Sequence, residues 1–246
     1  MLKVFNCDLH IHTCLSPCAE LDMHPMLLVK KALEKELDII AICDHNSSAN
    51  VPYVIKAAQT SKLRILPGME ITTIEEVHIL AIFDSISNLS LMQNIIDQHL
   101  KGKNDEDSFG VQAIVNEKGE VEGINNQLLI GATDLSLDTS INYIHQFNGL
   151  AVAAHIDRDS FSVLSQLGFI DDNSGFDALE ITPRTGFHGA RIRYPELCKY
   201  SFIMSSDSHF IKDIGTATTQ IMLQKPSVAE LKMAFKKQNG RCVMER

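Results

Sequence analysis

Short apolar runs alternate along this chain with segments whose apolar residues recur at helical spacing. LKVFNCDLHI (2–11) reads as a strand, and PMLLVKKALEKE (25–36) as a helix with Pro25 in its first turn. LDIIAICD (37–44) is apolar throughout, as a strand buried on both faces is. VPYVIKAAQTSK (51–62) is helical, and LRILPGMEIT (63–72) and EEVHILAIF (75–83) are strands close enough to form a hairpin. A helix over SLMQNIIDQHLKGK (90–103) follows. Three more apolar runs are GLAVAAHI (149–156), FDALEIT (176–182) and YSFIMSSDSH (200–209). The last two follow the helical segments SFSVLSQLGF (160–169) and HGARIRYPELCKY (188–200). The tail adds a strand-like GTATTQIML (215–223) and a helix over 227–238 with Ser227 as N-cap.

This alternation predicts an α/β fold built from βα units, with seven strands before Ser208. Residues 103–138 break the rhythm, being rich in Asn, Asp, Glu and Gly with short apolar clusters. They read as an insertion or small helical lid within a single domain spanning 1–246.

Composition is ordinary for a globular protein, 45% hydrophobic and 22% charged. No apolar run reaches the ~20 residues of a membrane span. Lys3 comes too early for a secretory leader, so a cytoplasmic, membrane-free protein is expected. A net charge of −9 with no basic stripe argues against strong nucleic-acid binding. That inference weakens if the acidic residues hold metal ions. The six cysteines include no CxxC pair, and Cys14 and Cys18 read as ordinary reduced residues.

The histidines and carboxylates change the picture. His10 and His12 end the first strand, His45 the second, Glu70 the third and His155 the fifth; Asp207 and His209 end the seventh, and His78 lies in the fourth. In a β/α barrel, strand C-termini gather on the catalytic face. Residues two apart on a strand share a side, so His10 and His12 can face one metal, with Asp8 one step deeper. Mixed imidazoles and carboxylates suit zinc, manganese or iron, and so many ligands imply two or three divalent ions.

The motifs DLHIHT (8–13), CDHN (43–46), GMEIT (68–72), AAHIDR (153–158) and SDSH (206–209), with His78, resemble the polymerase and histidinol phosphatase (PHP) domain family. The resemblance implies a distorted seven-stranded (β/α)7 TIM-like barrel with up to three metals at its mouth. It also implies Glu20 as a ligand, across a three-residue insertion and in place of the family's Asp, with Asp22 as runner-up. One metal would take His10, His12, Glu70 and Asp207; a second Glu70, His78 and His155; a third Glu20, His45 and His209. Asp8 and Asp44 are then acceptors that orient ligating histidines.

Such a site predicts a metal-dependent phosphoesterase in which a metal-bridging hydroxide attacks phosphorus, with His209 a candidate proton donor. Arg158, Arg184 and His188 are candidate phosphate contacts, while Arg191 and Arg193 read as a solvated helix face. The expected substrate is a small phosphate monoester or nucleotide. The alternatives are an exonuclease-like phosphodiesterase on short oligonucleotides, a non-catalytic metal-binding regulator, and carbon–nitrogen bond hydrolysis.

Overall fold

The structure, a computed structural model, describes residues 1–171 and 173–245. In chain order these form β1 (Lys3–Ile11), α1 (Pro25–Glu34), β2 (Ile39–Ile42), α2 (Val51–Ala58), β3 (Arg64–Thr72), β4 (His78–Ile82) and α3 (Ile86–His99). Then come α4 (Glu106–Phe109), β5 (Ala113–Val115), β6 (Val121–Ile124), α5 (Leu137–Gln146), β7 (Leu150–Ala153) and α6 (Val163–Leu167). β8 (Ala178–Glu180), α7 (Gly186–Arg193), β9 (Phe202–Ile203), β10 (Thr219–Leu223), α8 (Val228–Phe235) and β11 (Cys242–Met244) complete the chain. Ser85, Ser136, Ser162 and Ser227 start α3, α5, α6 and α8, each accepting a backbone N–H three residues on.

One mixed sheet carries nine strands in the order β11-β10-β1-β2-β3-β4-β7-β8-β9. The seven expected runs all enter it, and the sheet is barrel-like, but it carries nine strands rather than the seven of the expected distorted (β/α)7 barrel. β10 and β11 extend it antiparallel beyond β1, and β4 runs antiparallel to both β3 and β7. The link 73–77 is too short for a helical crossover, so the chain can only return as a hairpin. Past β9 the backbone comes back to β1: His12 N–H donates to Ser208 O at 3.0 Å and Ser208 N–H to His10 O at 3.4 Å. This contact nearly closes the ring.

Two apolar clusters fill the fold. Ile39, Ala41 and Cys43 pack inside the ring with Leu66, Leu80 and Val152, while Ile40 and Ile42 pack outward against Leu28 of α1 and Val54 of α2. α8 closes the end of the ring remote from the strand C-termini, where Val228 N–H donates to Asp84 Oδ1 at 3.0 Å. Gly68 lies in the tightest stretch of wall, where a Cβ would sit 3.0 Å from the carbonyls of Ile42 and Ala81.

β1 departs from simple alternation. Cys7 and Leu9 belong to the inner cluster and Ile11 to the outer one, and the register with β2 shifts between Asp8 and Ile11. Such a bulge re-aims side chains next to a site. It brings His10 and His12 into the mouth and leaves Asp8 off their face.

The 103–138 segment holds the short α4 and the β5–β6 hairpin rather than a helical lid. It is fastened to the ring. Asn50 Nδ2 donates to Ala113 O at 3.1 Å, Val115 N–H to Asn50 Oδ1 at 3.0 Å, and Asn46 Nδ2 to Leu129 O and Gly131 O, both at 2.8 Å. Among the described residues no helix is long and apolar enough to cross a membrane.

Candidate metal centre

Eight of the nine expected ligands meet at the mouth of the ring; Glu20 does not. Glu70, at the end of β3, is the hub. Its Oε1 lies 2.8 Å from His78 Nδ1, 3.3 Å from His155 Nε2 and 3.4 Å from His10 Nε2. Its Oε2 lies 3.0 Å from His45 Nδ1 and 3.4 Å from His12 Nε2. Asp207 Oδ1 lies 3.2 Å from both His10 Nε2 and His12 Nε2, and those nitrogens are 3.1 Å apart. Atoms bound ~2.0–2.2 Å from a common tetrahedral zinc stand about 3.3 Å from one another, so these separations are those of a ligand shell.

His78 reaches this rim because β4 runs backwards. The first residue of an antiparallel strand lies level with the last of its neighbour, and His78 pairs with Thr72. Three groups of ligand atoms lie within 4.8 Å of one another: His10, His12 and Glu70; His45, Glu70 and His78; and His12, His45 and His209. His45 thus stands between two groups, where the expected partition gave it to one.

Further contacts fix the imidazoles. His10 Nδ1 hydrogen-bonds Glu180 Oε2 at 3.0 Å, and the backbone N–H of His155 donates to the same oxygen at 3.0 Å. His12 Nδ1 meets Ser16 Oγ at 2.9 Å, and Ser16 Oγ donates to Asp44 Oδ1 at 2.7 Å. With a metal bound, these contacts would keep a proton on Nδ1 of both histidines and leave Nε2 facing inward, as in metal-ligating histidines. Asp44 acts on His12 through Ser16. Asp8 orients no histidine: it accepts from Ser206 N–H at 2.9 Å, Ser206 Oγ at 2.6 Å and Gly215 N–H at 3.0 Å, tying β1 to the loop that bears Asp207. The β1 bulge is the cause.

Burial pushes the Glu70 carboxyl up, but His78, His10 and His45 overcome it and hold the group well below the usual range. His10 and His12 likewise hold Asp207 down against burial. His45 is raised to about 10, because Glu70 outweighs burial. Burial and the neighbouring His209 keep His12 well below the ordinary imidazole range. Asp207 Oδ1 and the Nδ1 atoms of His45 and His78 are buried without a properly aligned hydrogen bond. Orphaned ligand-type atoms converging on one space fit divalent ions. Backbone strain accompanies them: His155 and Asp207 have φ of 29° and 48°, left-handed values that cost non-glycine residues about 1–3 kcal/mol each.

The remaining candidates divide. Glu20 is exposed, and only its backbone approaches the centre, N–H to His209 O at 3.0 Å. The same turn sets Cys18, also exposed, against the outer edge of the centre. The Cys18 thiol lies against the rings of His209 and His45; desolvation works to raise its pKa, yet these imidazoles bring it down to about 7. The exposed Asp22 joins no ligand group. The His209 ring stacks on His12 at 4.1 Å. Arg158 Nη2 pairs with Asp207 Oδ2 at 2.6 Å, and Arg158, Arg184 and Arg193 line one cavity of about 460 Å³ with Asp157, Asp159, Thr182 and Thr185. His188 lies apart, in a different cavity with Phe187 and Met204. Arg191 pairs with Glu245 and stacks 4.7 Å from the Phe202 ring, which makes it structural.

The sequence model of the PHP domain matches residues 8–168. The chain belongs to the PHP domain family. Proteins of this family are metal-dependent phosphoesterases and nucleases. A curated relative, the 5'-3' exoribonuclease Rnm of Salmonella typhimurium, is 30% identical over 96 residues, 37% of this chain and 32% of that protein. Endonuclease Q from Pyrococcus furiosus superposes with a TM-score of 0.74 at 17% identity, covering 98% of this PHP chain and 58% of the endonuclease. A second endonuclease Q structure, in complex with a 27-mer duplex substrate with an abasic lesion at the active site, gives 0.75 at 17% identity, covering 98% and 59%. The chain therefore spans under two thirds of each relative's length.

These relatives correct the expectation of a small phosphorylated substrate without strong nucleic-acid binding, since they act on RNA and bind duplex DNA. Net charge is a weak guide here because five of the 31 acidic residues, Asp8, Asp44, Glu70, Glu180 and Asp207, lie in or against the centre, where cations would offset them, while arginines line a cavity at the rim.

Proposed function

We propose that this PHP domain is a metal-dependent nuclease that hydrolyses phosphodiester bonds in a nucleic-acid strand. One observation carries the reading: Arg158, Arg184 and Arg193 line a single open cavity, and Arg158 joins it directly to the ligand Asp207. A small monoester needs one anion site. A strand presents a phosphate at every nucleotide, so it needs cations continuing beyond the scissile bond.

The His and carboxylate cluster would hold two or three ions of zinc, manganese or iron through Glu70, His10, His12, His78, His155 and Asp207. Such ions supply a water of lowered pKa and positive charge for the phosphoryl oxygens. Glu180 and the Ser16–Asp44 pair accept the Nδ1 protons of His10 and His12 and so turn their Nε2 atoms toward the ions. Arg158, whose side chain is 43% exposed, offers its outer N–H groups to a non-bridging phosphate oxygen while its inner edge steadies Asp207. Arg184 and Arg193 bind the next phosphate. His209 serves as a ligand and so has no proton to give; the leaving oxygen takes its proton from water in the open mouth.

The test is a panel of 5'- and 3'-labelled RNA and DNA oligonucleotides with added manganese or zinc, run beside aryl phosphate monoesters. Cleavage of the oligonucleotides is expected, and the label position separates exonucleolytic from internal cutting. Turnover of monoesters alone would overturn the reading.

A further inference from the structure

The turn SPCAEL sits over the opening, and its expected acid, Glu20, points to solvent. The residue that faces the imidazoles from this turn is Cys18, whose thiol contacts both His209 and His45. The ligand-type atoms of His12, His45 and His209 lie within 4.8 Å of one another. His45 is 5% exposed and shared with the neighbouring group, its Nδ1 facing Glu70 Oε2 at 3.0 Å. Three neutral imidazoles are an incomplete shell for a divalent ion, which gains most from an anionic fourth donor.

We propose that Cys18, and not Glu20, completes this group as a thiolate ligand, giving a His3Cys shell for one ion at the outer edge of the centre. The thiol proton is released to solvent as the sulfur lone pair binds the metal, so the shell gains one negative charge. A thiolate favours zinc or ferrous iron over manganese and magnesium, so this position differs in metal preference from the oxygen-rich one around Glu70 and Asp207. Turns Ser16 N–H to Thr13 O at 3.1 Å and Ala19 N–H to Ser16 O at 2.9 Å hold the cysteine over the rings. The inference rests on the metal centre of the proposed function but not on its substrate.

Cobalt(II) titration of metal-stripped protein tests it, read by near-ultraviolet thiolate-to-cobalt absorption and by bound equivalents. The wild type should show the band. Cys18→Ser should lose the band and bind its outermost ion at least about tenfold more weakly. Cys18→Asp should keep the ion without the band, and Glu20→Ala should keep both. A band that survives in Cys18→Ser belongs to another cysteine and overturns the assignment, as does loss of an equivalent in Glu20→Ala. Normal cobalt spectra in a protein that cleaves no diester would sink the nuclease reading and leave Cys18 a ligand.

Discussion

Glu180 Oε2 accepts from His10 Nδ1–H and from the backbone N–H of His155, each at 3.0 Å, so one carboxylate on β8 sets two ligands carried by β1 and by the end of β7. Its other oxygen is buried without a partner. In Glu180→Gln, one of these donors would face an amide NH2 or a weaker neutral acceptor. Metal affinity should fall about 10–100-fold, as for other residues that orient ligands. The fold should survive with a loss of about 1–3 kcal/mol. Chelator competition and thermal melts measure the two effects; unchanged affinity would show that His10 needs no such support.

Glu180 was legible and passed over. EIT occurs at 70–72 and again at 180–182, both times ending an apolar strand. The α/β class and the gathering of histidines followed from local periodicity, which each segment carries by itself. What escaped depends on pairing between segments. The β3–β4 hairpin was legible in the short link between the two runs; what escaped was its consequence, that a reversed β4 brings its first residue, His78, to the rim. The β1 bulge, which parts Asp8 from His10, appears only in register against β2. Cys18 was missed for a similar reason: whether a turn sets its third or fifth residue against the centre depends on what it packs against.

Ser16 Oγ links Asp44 to His12, at 2.7 Å and 2.9 Å, and also accepts from His45 N–H at 3.2 Å. Ser16→Ala leaves His12 Nδ1–H without its acceptor and frees the ring to turn. Metal affinity should drop about 10–100-fold. Ser16→Thr, which keeps the hydroxyl, should restore part of the loss. If the alanine variant binds metal normally, His12 is fixed by its stacking on His209 alone.

Arg158 combines an ion pair to Asp207 with an exposed face toward the cavity. Removing one charge-assisted hydrogen bond costs about 1.5–3 kcal/mol, so Arg158→Ala should raise KM for oligonucleotides about 10–100-fold. Losing one phosphate contact should also flatten the dependence of log affinity on log salt by about one unit. Arg184→Ala should flatten it similarly without disturbing metal content. Unchanged KM and salt slope in both variants would remove the arginine row from substrate binding.

His45 makes the metal-free centre sensitive to pH. Burial alone would lower its pKa, but Glu70 raises it to about 10. An unfolded imidazole titrates near 6.5. Between about pH 6.5 and about pH 10, the metal-free fold thus holds a proton on His45 that the unfolded chain has released, which lowers stability as pH rises. Cys18, brought down to about 7, works the other way until the unfolded thiol also ionises at about 8.5. A metal ion on the His45 ring displaces its proton and removes the dependence. Metal-stripped protein should therefore lose Tm most steeply between about pH 9 and about pH 10, where His45 acts unopposed by Cys18, and more steeply there than the loaded form. Metal binding near neutral pH should release protons, seen by calorimetry in buffers of different ionisation enthalpy. Parallel Tm profiles and no proton release would mean that His45 is already neutral, and that Glu70 charges another member of the cluster instead.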